Sequence, residues 1–377
     1  MMSRRLWFSA LICTSLLGLA ACGGASDDLA DAPNLEVAAS LDHRPVGVAI
    51  SRSGRVFVSM RPLTPTGPRV AEVMDADTTR PFPNAEWNLP PTRAEDPSQV
   101  FYSVNAVHAD RENVVWMLDQ GGAAPPKLVG WSLELDRERD VFRLEAMTGP
   151  ASTLADFAID QTNRAIYIAD TGAVNAQNTD DEQTPTIIVV NLDTGRGRRV
   201  LGDDERLRAE DVDLEVGDES IGETGPEGFT PLRVGLRAIT IDPMDEWVYF
   251  GALNGESLYR IRAADLSDRN LTDIQIKARV EFYGLKPVSE GIAAAQNGFI
   301  FISDVNSSTL GVVGSDAAYQ PLVTDRRLSW PHAIAISPGG DIFVAASRMQ
   351  QAPQLNNGKE LAEPPFHLLR SRLGGMP

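Results

Sequence analysis

One pattern constrains this chain more than any other, and its clearest copy is Ser103 to Gly122, SVNAVHADRENVVWMLDQGG. A small apolar run (Ala106 to Ala109) meets a polar turn (Asp110 to Asn113), a second apolar run (Val114 to Leu118) and an Asp-Gln-Gly-Gly loop. Run, tight turn, run and loop spell a β-hairpin. The pattern returns five more times, with turns opening at Ser51, Asp160, Asp242, Ala295 and Ser337. The six turns lie 59, 50, 82, 53 and 42 residues apart. Repetition on that scale predicts a propeller or a solenoid.

Each first run is built of Gly, Ala, Ile and Val, as strands converging on an axis require, and each second run carries bulkier side chains. Third strands follow at Lys127–Leu133, Thr186–Leu192, Ser257–Ile261 and Thr309–Val313, and fourth strands at Val141–Leu144, Gly197–Leu201 and Arg279–Tyr283. Four strands per unit make a propeller blade. The fold class is therefore all-β, a six-bladed β-propeller. A stray strand at Leu35–Ala39 and a third strand at Phe366–Arg370 complete the last blade between them, so the ring is closed by its N-terminal strand.

Ahead of the ring, Arg4 and Arg5 precede an apolar stretch, Leu6 to Leu19, and then Leu19-Ala20-Ala21-Cys22. This resembles a bacterial lipobox. Residues 1–21 read as a lipoprotein signal peptide, Cys22 as the lipidated residue, 22–33 as a flexible tether and 34–377 as the propeller. Gly23 after the cysteine hints at the outer membrane. Cleavage removes Cys13 and leaves no pair for a disulfide. The expected product is exported, held in the cell envelope by its lipid anchor alone, and monomeric.

The chain carries 34 basic and 52 acidic residues, a net charge of −18. Loss of Arg4 and Arg5 takes it to −20. Such a surface repels phosphate backbones and argues against nucleic-acid binding. Part of the charge lies in a long insertion, Gly202 to Gly228. Its Asp211, Asp213, Asp218 and Glu219 lack EF-hand spacing and read as a solvated loop. A second insertion, Pro62 to Pro97 with Trp87, is expected over one face of the ring.

The position five before each turn residue gives Val46, Asn105, Ala155, Arg237, Glu290 and His332. Asn105, Arg237, Glu290 and His332, with Asp156 one place further on, form a candidate constellation at the channel mouth. Asp119, Asp170 and Asp304, which follow second strands, are expected to rim the same mouth. His108 reads as packing only. An Arg237–Glu290 ion pair and backbone capping by Asn105 and Asp156 remain open as purely structural readings. Oxygens from Asn105 and Glu290 with an Asp could hold a divalent cation such as calcium and polarise a lactone. The same groups could bind a small organic amine or acid without catalysis. His43, His108, His332 and His367 form no zinc-binding pair, and no nucleophile elbow or phosphate loop is present.

Several stretches resemble the major royal jelly protein/Yellow family. They include Pro45–Ser59, Trp116–Gly121, Ile168–Gly172, Ser289-Glu290-Gly291, Phe301–Asp304, Trp330-Pro331 and the tail Asn357–Phe366, NGKELAEPPF. The resemblance runs from about Pro45 to the C-terminus. It implies a secreted six-bladed propeller, with insect members linked to dopachrome conversion or to amine binding in the channel. This chain departs from them in its lipobox and its lack of disulfides. It also resembles the gluconolactonase/SMP-30 group, which uses an axial Glu, Asn and Asp to hold a metal, but Val46 stands where that group has its first-blade Glu. The resulting expectation is a small-ligand binder with possible tautomerase-like activity. The alternatives are a metal-dependent lactone hydrolase and a non-catalytic interaction scaffold.

Overall fold

The computed structural model describes residues 34–173, 184–225 and 228–372. Six four-stranded antiparallel sheets form the blades. In chain order their innermost strands are Arg44–Ile50, Val104–Ala109, Leu154–Asp160, Leu236–Ile241, Ser289–Ala294 and Pro331–Ile336, opening blades 1 to 6. Each touches the next, and the sixth returns to the first, so the ring is closed.

Closure is made as the sequence suggests. Leu35–Leu41 is the outermost strand of blade 6, antiparallel to Phe366–Ser371. A second clasp joins the ends. The Arg44 side chain, fully buried, donates to the carbonyls of Ser347 and Arg348 and to the carboxylate of Glu360. Glu360 belongs to the NGKELAEPPF tail. That motif is therefore a strap tying blade 6 to the start of blade 1.

The six turns explain the repeat's preference for Asp and Ser. Asp110 accepts from the backbone of Glu112 and Val114 and from the Trp116 indole. Asp242 accepts from Met244, Glu246 and Trp247 backbone amides, and Ser51 and Ser337 each hold one amide. These bonds satisfy amides that a tight turn leaves unpaired. The small residues of the inner strands are equally determined. A Cβ on Gly291 would lie 2.3 Å from the His332 carbonyl oxygen of the neighbouring blade.

The two insertions differ from expectation. Within Pro62 to Pro97, Val70–Val73 and Thr79–Pro81 are the outer strands of blade 1, and Trp87 is buried against Phe101. The acidic insertion is not simply solvated. It forms two small ribbons, Glu215–Val216 with Glu219–Ser220 and Gly222–Gly225 with Gly228–Pro231. Its apolar side chains Leu214, Ile221, Leu232 and Val234 are buried against Val46, Val305 and Trp330. Asn254 fastens it to blade 4, donating to the carbonyls of Val212 and Leu232 and accepting from the Val234 amide, while Asn306 fastens it to blade 5. The acidic residues face out and an apolar underside caps the ring. Among the described residues no helix is long and apolar enough to cross a membrane. Cys22, the signal peptide and the tether lie outside the described residues.

Candidate functional site

All six inner strands break register at the same place. The irregularities fall between Pro45 and Gly47, Val104 and Ala106, Leu154 and Asp156, Leu236 and Ala238, Ser289 and Ile292, and Pro331 and Ala333. The extra residues are Val46, Asn105, Ala155, Arg237, Glu290 with Gly291, and His332. A β-bulge leaves its residue out of the ladder and re-aims its side chain. Here six bulges in a ring bring their side chains together around one axial chamber. The sequence-derived set Asn105, Arg237, Glu290 and His332 does converge, and Asp156 joins it.

The chamber is nearly full. Arg237 donates to Glu290 through Nε at 2.7 Å and through a second nitrogen. The Trp330 indole donates to the other Glu290 oxygen at 3.1 Å. His332 Nε2 lies 3.4 Å from Glu290, too far for a good bond. Burial alone would raise the Glu290 carboxyl, but Arg237 and His332 beside it, with the bonds from Arg237 and Trp330, outweigh burial and hold it at about 2. Burial pushes His332 down to about 4; Glu290 opposes that shift, while Arg237 and Arg61 reinforce it. His332 is therefore neutral at pH 7. Asn105 donates to the Leu154 carbonyl at 2.7 Å. About 20 Å³ remains, room for one water-sized molecule.

The residue that sequence reasoning set aside is the most exposed polar group of this region. His108 Nε2 sits 2.7 Å from Asp156 Oδ1, and its ring packs edge-on against Phe157. His108 lines both this chamber and a second, wider one below it of about 360 Å³. It therefore stands at the neck of the channel. Asp156 Oδ1 also accepts from the Phe157 amide, and in one tautomer of the ring it accepts from His108 Nε2–H. That leaves the lone pair on Nδ1.

The three expected rim carboxylates are elsewhere. Asp119 is fully buried, bonded to Lys127 at 2.8 Å and to the amides of Tyr102 and Ser103. Asp170 accepts from Ser152, Arg199 and the Thr153 amide. Asp304 accepts from the Ser307 amide and the Tyr319 hydroxyl. Each lies opposite the start of an inner strand, and the first two satisfy amides of the segment leading into it. These carboxylates fix where the strand begins, so they are structural. The basic residue facing each of the first two on the third or fourth strand, Lys127 and Arg199, is the signal that would have shown it.

A divalent cation does not fit this chamber. Both Glu290 oxygens are taken by Arg237 and Trp330, and Asn105 is turned to a backbone carbonyl. Among the described residues no three His, Cys, Asp or Glu side chains converge as a metal requires.

Fold and site together define a six-bladed propeller with an axial polar ring. The sequence model of the major royal jelly protein family matches residues 102–360, and the chain belongs to that family. Major royal jelly protein 3 of Apis mellifera is 24% identical over 258 residues, 64% of this chain and 42% of the bee protein. The chain thus spans less than half the length of that relative. Among solved structures, a streptogramin B lyase has a TM-score of 0.51 at 14% identity, covering 90% of this chain and 97% of the lyase. A gluconolactonase from Xanthomonas campestris has a TM-score of 0.51 at 10% identity, covering 89% of this chain and 88% of the enzyme. At such identities these likenesses establish the fold alone.

Proposed function

We propose that this propeller binds a small organic molecule along its axis and moves a proton on it, a tautomerase-like activity, in a lipid-anchored protein exposed in the cell envelope. The observation that carries the reading is the His108–Asp156 pair at the neck of the channel. Asp156 holds the imidazole as the Nε2–H tautomer and balances charge when the ring gains a proton. His108 takes a proton from a ligand carbon and returns it to a ligand oxygen, so no oxidant or reductant is needed. Asn105 and the Arg237–Glu290 pair set the polarity above the neck.

The test is conversion of dopaminechrome, a neutral aminochrome, followed as loss of colour. His108→Gln should lower the rate about 10²-fold, the usual scale for a general base, with binding retained. Asp156→Asn should lower it less. Equal rates for wild type and both variants would remove the catalytic part of the reading. The rival lactonase reading has the gluconolactonase fold likeness behind it. It requires Arg237 to leave Glu290, and a calcium-dependent rise in melting temperature would favour it.

A further inference from the structure

The two ends of the channel are not equivalent. At the end where the inner strands begin, the cap formed by the acidic insertion buries Leu214, Ile221 and Leu232 over Val46 and Trp330. Five of the bulge residues beneath it are buried, Arg237 keeps 15% of its side-chain exposure, and only about 20 Å³ is left among them. At the other end, where the six hairpins turn, the channel opens into the 360 Å³ vestibule, which widens further between the hairpins of blades 1, 2, 5 and 6.

Between polar turn residues the vestibule wall is a band of aliphatic side chains. Ile50, Ala109, Ile159, Ile241, Ala294 and Ile336 line it, each only partly buried. Leaving this much concave apolar surface in contact with water is unfavourable by roughly 25 cal/mol per Å², and concave apolar surface is the usual form of a ligand site. The charged side chains along it are already engaged. Arg111 is held by Gln161, the Pro243 carbonyl and Asp245. Asp110 and Asp242 accept from their own turn amides, and Asp245 also accepts from Thr162. Among the described residues Arg111 is the one cation of the inner vestibule and is paired with Asp245, Asp110 and Asp242 spend their oxygens on neutral N–H donors, and Arg52, further out, donates to the Arg111 carbonyl.

We infer that the hairpin-end vestibule is the binding site for an uncharged, apolar-bodied molecule, which enters from that end and presents one hydrogen-bonding group to His108 and Asp156. The inference rests on the axial-ligand reading and adds its route, its position and its charge class. In a chain of net charge −18, whose surface as a whole would favour cations, selection for a neutral ligand follows from the aliphatic wall, on which a charged group is desolvated with no side chain free to pair with it.

The neutral fluorophore N-phenyl-1-naphthylamine is a suitable probe. Saturable binding at one equivalent is expected, and its sulfonated analogue, 8-anilinonaphthalene-1-sulfonate, should bind at least tenfold more weakly. Ala294→Phe, which fills the vestibule, should weaken the neutral probe at least tenfold. Ile50→Glu tests the same wall by charge instead of bulk should the first variant fold poorly, with both checked by near-ultraviolet circular dichroism. Asn254→Ala, which loosens the cap, should leave binding unchanged. Equal affinity for the two probes, or no saturable binding of the neutral one, overturns the charge class. Full binding in both vestibule variants, with faster association in Asn254→Ala, overturns the route while leaving an axial ligand standing. Full binding in both vestibule variants, with association no faster in Asn254→Ala, defeats the axial reading itself.

Discussion

Glu290→Gln is expected to destabilise the protein by about 3–5 kcal/mol, because it leaves the Arg237 guanidinium in the axial chamber without its counter-charge. The lower end of that range is the better expectation, since the Arg237 side chain keeps 15% of its exposure and can be partly hydrated. The double variant Arg237→Gln, Glu290→Gln should recover part of the loss, as removal of a whole buried pair is far milder than removal of half. Urea unfolding of the two variants and wild type measures this. An unchanged Glu290→Gln midpoint would mean that the pair is not the centre of the chamber.

The same chamber also sets how stability depends on pH, through burial of His332 and the charges around Glu290. Neutral His332 has its folded pKa lowered to about 4, so between the ordinary histidine value and about 4 the unfolded chain binds a proton that the folded chain refuses. Stability falls as pH drops through that window, by roughly 3 kcal/mol if the whole shift is expressed. Glu290 acts in the same direction further down. Its folded pKa is depressed to about 2, so its contribution is full above the ordinary carboxylate value and is lost as pH falls towards about 2. His332→Gln should flatten the upper limb and Glu290→Gln the lower one.

Removal of residues 35–41 is expected to be more damaging still. It strips the outermost strand from blade 6, taking the buried Leu35, Ala39 and Leu41 with it. It also takes the Leu35 carbonyl that Arg327 holds at 2.9 Å and the Glu36 partner of Arg370 at 2.8 Å. Two buried leucines are worth about 2–5 kcal/mol each, and Phe366–Ser371 becomes a bare edge. A loss above about 5 kcal/mol follows, which for a ring of this size lowers the melting temperature by at least about 7 °C. A truncated protein melting within about 2 °C of wild type would contradict closure by this strand.

The ring was legible because its punctuation is chemical. Each turn needs a side-chain acceptor for its amides, and Ser51, Asp110, Asp160, Asp242 and Ser337 announce it. Counting back from those turns located the bulge residues, since the hairpin length is constant. What the count could not show was the bulge itself. In a regular strand Asn105 and His108 face opposite sides; an extra residue at 105 puts both toward blade 3, where Asn105 meets Leu154 and His108 meets Asp156. That single shift turned His108 from a packing residue into the neck of the channel.

The rim carboxylates failed for a different reason. Asp119 and Asp170 follow strands as loop residues do, and their partners Lys127 and Arg199 stand 8 and 29 residues further on, where only the register of the later strands marks them as facing. The cap was misread because its charge outnumbers its apolar residues. Leu214, Ile221, Leu232 and Val234 are too sparse to mark a buried face until the ribbons align them.

The central claim is that the channel, and not a blade edge or the cap, holds the ligand. A crystal structure grown with a neutral ligand chosen by thermal shift tests it most directly. Density in the vestibule with one polar atom within hydrogen-bond reach of His108 or Asp156 is the predicted result. An empty channel with the ligand seated between blades or on the cap would contradict it.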